Sequence, residues 1–406
     1  MPHNSAAWLG AKRAQLDVRP APYTAPGDHE IVVRNHAVAI NPLEWIIQSV
    51  GGVVYPWIRY PFVLGSDLAG EVVEVGSGVT RFRVGDRVLG HAVGSDRDSN
   101  SSARGAFQHH TVVLEQLAAP IPDTMAYEDA AVLPLGLSTA ACGLFQTDQL
   151  ALNHPSASPS PTGQTLVVWG GSTSVGSNAI QLAVAAGYDV VTTASPRNFD
   201  YVRRLGASRA FDYHSPTVVA EISAALQGRT LAGAFAIGYG SAQPCADIVH
   251  AGQGRKFVAT ASTSLSFADL DEGVARSWQL PALLLRVGAS TAVFLLRCRL
   301  WGIATRFVIG TTLRTTRSAR PSTRTSCRRP LPRAATSPRP NLAWSARASS
   351  TCRPASTSSG PGSPLRRSWS ASEPANRAHS ASRSSPQACQ RSICTWAVTR
   401  GRKRSG

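Results

Sequence analysis

Between residues 30 and 121 the apolar positions fall in short β-type runs, at 31–33, 69–75 and 87–89, separated by glycine-rich and polar turns at 75–79, 84–87 and 91–106. Short runs broken by turn residues in this way predict a compact β unit. After Asp123 the period lengthens, and residues 126–145 read as one helix with a small-residue face at Ala130, Ala131 and 140–143. A Ser/Pro linker at 155–163 leads into a different regime. Strands predicted at 165–169, 189–193, 210–211, 233–237 and 256–260 alternate with helices at 177–186, 199–205 and 218–226. Strand and helix joined by short connections require parallel strand neighbours with helices on both faces of the sheet. The expected fold class is therefore α/β, a β unit followed by a doubly wound parallel sheet. No internal repeat is visible.

Composition and charge divide the chain at a different place. The 406 residues are 43% apolar and carry a net charge of +17, enough chain for two domains with buried cores. Residues 1–313 contain 22 Lys and Arg against 23 Asp and Glu, whereas residues 314–406 contain 19 against the single Glu373. The body is nearly neutral and the basic character belongs to the tail. Three cysteines, Cys142, Cys245 and Cys298, lie in the body and four, Cys327, Cys352, Cys389 and Cys394, in the tail, with no CxxC pair. That spacing indicates neither a disulfide framework nor a structural zinc site. Residues 2–13 lack the basic flank and apolar core of a signal peptide, so a cytoplasmic chain is expected. Pro281, Arg286, Arg297 and Arg299 interrupt the apolar stretch 278–301, which reads as an amphipathic or buried helix because each charge near a membrane-helix centre costs about 2.5–3.5 kcal/mol.

The strongest local signal is Leu166-Val167-Val168-Trp169 running into Gly170-Gly171-Ser172-Thr173-Ser174-Val175-Gly176. A strand, a tight glycine turn and a helix N-terminus present free backbone N–H groups and the positive end of the helix dipole to a pyrophosphate. The glycines permit close backbone approach, and the hydroxyls of Ser172, Thr173 and Ser174 are candidate donors. This is a variant of GxGxxG, and its weight comes from its place between a strand and a helix. About 20 residues on, where an acid would select NAD, the chain has Thr193-Ala194-Ser195-Pro196-Arg197-Asn198. A hydroxyl followed by Arg suits a 2′-phosphate and favours NADPH, with Tyr213 placed to meet the adenosine end.

Taken together, Asn41-Pro42-Leu43-Glu44-Trp45, Leu64-Gly65-Ser66-Asp67-Leu68-Ala69-Gly70, residues 72–78, Val84-Gly85-Asp86-Arg87-Val88, residues 130–139 and the GGSTSVG turn follow the order and spacing of the medium-chain dehydrogenase/reductase superfamily. Over residues 5–313 the chain resembles its zinc-independent, trans-acting enoyl reductases, the partners of polyketide synthases. The resemblance implies a GroES-like β domain over 1–125, a Rossmann NADP-binding domain over 126–313, and a cleft between them. It implies that Asn41, Pro42, Leu43 and Glu44 line the nicotinamide side, and that Ser172, Thr173, Ser174, Val175, Ser195, Pro196, Arg197, Asn198 and Tyr213 hold the phosphates and adenosine. It further implies that Val132, Leu133, Pro134, Leu135, Gly136, Leu137, Ser138 and Thr139 line the substrate side.

Departures from the zinc alcohol dehydrogenases sharpen the expected chemistry. Where those enzymes place Cys and His, this chain has Asn41 and Ser66, and 91–108 contains no cysteine for a structural zinc lobe. No metal is expected, and simple alcohol oxidation is disfavoured. Reduction of an activated C=C bond fits better, with hydride passing from nicotinamide C4 to the β-carbon of a small-molecule or carrier-bound enoyl thioester and hydrogen-bond donors stabilising the enolate. The sequence does not single out the proton donor, which is open among Tyr55, Tyr60, Ser138, Thr139 and water. A quinone oxidoreductase and a catalytically impaired NADPH-binding protein are the alternatives.

The tail, 314–406, has 18 Arg, one Lys, and abundant Ser, Thr, Pro and Ala, a composition that reads as disordered. Nucleic-acid binding is disfavoured by the shortage of Lys and the scattered aromatics. The segment also reads as a translation one base out of frame. Residues 315–327, TTRSARPSTRTSC, are compatible with DNEVGPAIYEDFL after a single shift, residues 365–370 with the end of a terminal strand AKKVVV, and 371–372 with a hidden stop. In the resembling family the C-terminal segment completes the catalytic domain, so its loss would leave buried backbone groups unpaired.

Overall fold

The computed structural model describes residues 2–261 and 279–314; the tail readings at 315–406 lie outside the described residues. Eight strands come first: β1 (Asn4–Leu9), β2 (Leu16–Ala21), β3 (Glu30–Ala39), β4 (Phe62–Val63), β5 (Asp67–Val75), β6 (Arg87–His91), β7 (His110–Leu114) and β8 (Ala118–Pro120). They form a three-stranded sheet, β2-β1-β4, and a five-stranded antiparallel sheet, β7-β3-β5-β6-β8. Helix α1 (Pro42–Val54) lies between β3 and β4. Ile31, Val33, Leu68, Val72, Val88 and Val113 pack inside the larger sheet, as the short apolar runs predict.

The second half is the expected parallel sheet. Strands β9 (Gln164–Trp169), β10 (Asp189–Ala194), β11 (Arg209–Asp212), β12 (Thr230–Ala236), β14 (Phe257–Thr260) and β15 (Ala304–Phe307) run in the order β11-β10-β9-β12-β14-β15, with β13 (Gln253–Gly254) paired to β12. Along β9 the side chains alternate. Leu166 and Val168 enter one buried cluster, while Val167 and Trp169 enter another on the opposite face. A strand apolar on both faces needs helices on both, supplied by α4 (Ser174–Ala185), α5 (Phe199–Arg204), α6 (Val218–Ala225), α7 (Ala242–Ala251) and α8 (Gln279–Leu300). Strand order reverses at β9, which puts a ligand crevice at the C-terminal ends of β9 and its neighbours.

One predicted element divides. Residues 126–145 form two helices, α2 (Tyr127–Ala131) and α3 (Pro134–Phe145). Pro134 has no N–H to give the preceding turn, and it sits at the start of a helix, where none is required. Among the described residues no helix is long and apolar enough to cross a membrane.

Candidate active site

The glycine turn is built as its sequence demands. Gly170 has φ +87, a left-handed conformation, and a Cβ there would come within 2.6 Å of the Ile237 carbonyl oxygen. A Cβ at Gly171 would overlap Thr192 Oγ1, and one at Gly176 would overlap the Gly170 carbonyl oxygen. The turn is tied to β10 by Gly170 N–H donating to Thr193 Oγ1 at 3.0 Å and Gly171 N–H to the Thr193 carbonyl at 2.9 Å. Thr173 is the N-cap of α4. Its hydroxyl donates to the Gly170 carbonyl at 2.8 Å and accepts from Gly176 N–H at 3.0 Å. The Thr173 hydroxyl is therefore engaged in the cap. Ser174 is exposed and Ser172 half-buried, so their hydroxyls remain at the surface of the turn. A backbone cradle with its glycines closed against the sheet fits a dinucleotide pyrophosphate.

Ser195, Pro196, Arg197 and Asn198 follow directly from the end of β10, the last three as a 3-10 turn. Ser195 Oγ lies 3.4 Å from Tyr213 OH, across the ends of β10 and β11. Arg197 and Tyr213 are exposed, and among the described residues no carboxylate lies within ion-pair distance of Arg197. The structure thus brings Ser195, Arg197 and Tyr213 to one edge beside the glycine turn.

The other predicted residues meet around a buried acidic pair. Asn41 is the N-cap of α1, with Pro42 exposed and Leu43 half-buried in the first turn. Glu44 turns inward, and its Oε2 accepts from Asn41 N–H at 2.6 Å. Glu44 is 4% exposed and Asp67, at the start of β5, 1%. Burial pushes the Glu44 carboxyl up to about 7, against the opposing pull of Ser66 and the nearby backbone amides. Glu44 Oε1 is buried without a hydrogen bond of good geometry. Burial likewise pushes Asp67 up to about 8, with the Glu44 charge adding to it. Asn41 Nδ2 donates to Asp67 Oδ2 at 3.0 Å, so one asparagine spans both acids.

Asp67 also reaches the substrate-side segment. Its Oδ1 accepts from Leu135 N–H at 2.7 Å, and one strand over, His91 Nδ1 lies 3.0 Å from Ser138 Oγ. His91 is 2% exposed, and burial lowers its pKa to about 4, leaving it neutral. Val132 and Leu133 form the break before α3, and Pro134, Leu135, Gly136, Leu137, Ser138 and Thr139 its first two turns. A Cβ at Gly136 would overlap Ser174 Oγ, the first residue of α4, so this segment bridges the acidic pair and the glycine turn. Tyr55 and Tyr60 sit with Leu43 in the apolar cluster flanking α1. Among the described residues no group of three His, Cys, Asp or Glu side chains is arranged to hold a metal ion.

The sequence motifs contained Asp67 without marking it, and His91 fell at the start of the 91–106 turn. The available signal is an acid heading an otherwise apolar strand, Asp67-Leu68-Ala69-Gly70, since buried acids are rare unless hydrogen-bonded.

Residues 27–123 match the family described as alcohol dehydrogenase GroES-like domain. The chain is 59% identical to the dehydrogenase pigH of Monascus ruber over 264 residues, 64% of this chain and 72% of that protein. It is 47% identical to the trans-enoyl reductase himH of Aspergillus japonicus over 225 residues, 55% of this chain and 64% of that protein. An alcohol dehydrogenase superfamily protein from Novosphingobium aromaticivorans superposes with a TM-score of 0.55 at 25% identity, over 78% of this chain and 82% of its own. With a GroES-like antiparallel sheet, a Rossmann-like parallel sheet and relatives of this identity, the chain belongs to the medium-chain dehydrogenase/reductase superfamily.

Proposed function

We propose that this oxidoreductase is a zinc-independent, NADPH-dependent reductase of activated C=C bonds that acts on polyketide-type enoyl thioesters, presented by a polyketide synthase partner. The observation that carries the reading is the pairing of the glycine turn with a buried polar cluster in which Asn41 and Ser66 stand beside Glu44 and Asp67. In this reading residues 1–125 shape the substrate side and 126–313 hold the dinucleotide. The 172–175 backbone would bind the pyrophosphate, and Ser195, Arg197 and Tyr213 the phosphorylated adenosine end, Arg197 being an exposed cation with no carboxylate beside it among the described residues. Bound NADPH supplies the hydride. Asn41 would orient the nicotinamide side, and α3 would wall the substrate and exclude water. The trans-enoyl reductase himH supports the choice of substrate class.

A second reading, a nucleotide-binding chain with impaired turnover, draws on two observations. The two relatives named above align with 64% and 55% of this chain, and residues 314–406 carry a net charge of +18. Steady-state oxidation of NADPH with an enoyl thioester, a quinone and an aldehyde separates the readings. Turnover of the thioester is expected. Turnover of the quinone alone would overturn the assignment in favour of a quinone oxidoreductase, and tight NADPH binding without turnover of any of the three would favour the impaired chain.

A further inference from the structure

Helix α3 is held at its start by two side chains from one rung of the antiparallel sheet. Asp67 on β5 and His91 on β6 are register partners. Asp67 accepts from the Leu135 amide, and His91 pairs with the Ser138 hydroxyl. Positions 135 and 138 are three apart, one turn of helix, so both contacts fall on the same side of α3. Asp67, His91 and Ser138 are all less than one-tenth exposed, so each contact is made away from water, where an unpaired partner costs most.

The Leu135 amide is among the first N–H groups of the helix, which have no partner within it. The residue before α3, Leu133, makes no side-chain cap. Asp67 thus supplies from another sheet the acceptor that α3 lacks. Between the two anchored positions, Gly136 meets α4 so closely that a Cβ would overlap Ser174 Oγ and lie 3.2 Å from Asn178 Nδ2. Any shift of α3 is therefore passed to the helix that opens at the glycine turn.

We propose that Asp67 and His91 are a two-point clamp, positioning residues that act through the Leu135 amide and the Ser138 hydroxyl to set α3 against both the β-sheet and the glycine turn. Neither touches the reacting atoms. The clamp rests on the proposed function only in taking the cleft beside α3 as the place of reduction. In this role Asp67 serves as an acceptor, not as an acid. Asparagine offers the same acceptor to Leu135 N–H, and its amide pairs with Asn41 once the Asn41 amide turns to present its oxygen, whereas alanine offers no acceptor at all.

The test uses the full chain and its D67A, D67N and S138A variants. Amide hydrogen exchange is read in peptides covering 133–140 without cofactor, beside NADPH titration and the KM and kcat for an enoyl thioester. D67A is expected to speed exchange there about tenfold or more, to weaken NADPH binding and to raise KM more than it lowers kcat. S138A should speed exchange in the same peptides, and D67N should return exchange and KM to within about threefold of the starting chain. Unchanged exchange in D67A and S138A would overturn the clamp, as would D67N behaving like D67A. Should D67A not fold, S138A and D67N carry the same comparison. Exchange is independent of turnover, so a chain that reduces no enoyl thioester yet shows this exchange pattern would refute the proposed function and leave the clamp standing.

Discussion

Replacing Gly171 by alanine measures how closely the glycine turn is packed on the sheet. The new Cβ would overlap Thr192 Oγ1 and lie 2.9 Å from Ile180 Cδ1 and 3.1 Å from Thr192 Cβ. Thr192 cannot simply swing aside, because it is fully buried and its hydroxyl donates to the Val168 carbonyl at 2.7 Å. Overpacking at a site of this kind costs about 1–3 kcal/mol, which lowers the melting temperature by about 2–12 °C for a domain of this size. Because the turn must move outward, NADPH binding should weaken as well. Adding Thr192→Ala removes the shortest of the three close contacts, the one to Oγ1, so the double variant should be more stable than the sum of the single effects predicts, by about 1 kcal/mol or more. Gly170→Ala provides the contrast: its φ of +87 and the Ile237 carbonyl oxygen are backbone constraints that Thr192→Ala cannot relieve. Thermal unfolding and NADPH fluorescence titration of the five proteins read both effects. A Gly171→Ala chain as stable as the parent, or purely additive behaviour with Thr192→Ala, would refute the packing argument.

Arg197→Ala should raise the Kd for NADPH about tenfold while leaving NADH binding unchanged, as seen by competitive titration; equal losses for both cofactors would contradict a 2′-phosphate role. Dialysis against EDTA should leave NADPH turnover and melting temperature unaltered, and activity lost to EDTA but restored by zinc would count against zinc independence. Stability should fall as pH rises from 6.5 to 8. The folded chain holds protons on Glu44 up to about 7 and on Asp67 up to about 8, above the ordinary values of 4.5 and 3.8, so it binds more protons than the unfolded chain in that window. Buried His91, lowered from 6.5 to about 4, acts in the opposite direction, mainly below pH 6.5 and fading over about the next unit. Glu44→Gln and Asp67→Asn should each flatten the decline, whose slope is at most about 1.4 kcal/mol per pH unit per proton. A melting temperature that climbs from pH 6.5 to 8 would contradict these shifts.

The parallel half of the fold was legible because its strands are continuous apolar runs and its first turn is written in glycine. Strand β2 escaped because Leu16–Ala21 is almost wholly exposed and carries no burial pattern. The break between α2 and α3 was signalled by Pro134, which the small-residue periodicity outweighed. The glycine turn and the residues after β10 could be read locally, since each lies within a few positions of a strand end. The acidic cluster could not. Asp67 meets Leu135 across 68 positions, and His91 meets Ser138 across 47. Those meetings depend on strand register and on the docking of α3, which no local period records.

The most direct measurement of the central claim follows the hydride itself. NADPH carrying deuterium at the transferred C4 position is incubated with an enoyl thioester and the chain, beside a version whose tail is restored to the alternative frame, and the product is analysed by mass spectrometry and NMR. A saturated thioester with deuterium at the β-carbon and a solvent-derived proton at the α-carbon is the expected product. Deuterium delivered only to a quinone or an aldehyde, with the C=C bond untouched by both versions, would contradict the central claim.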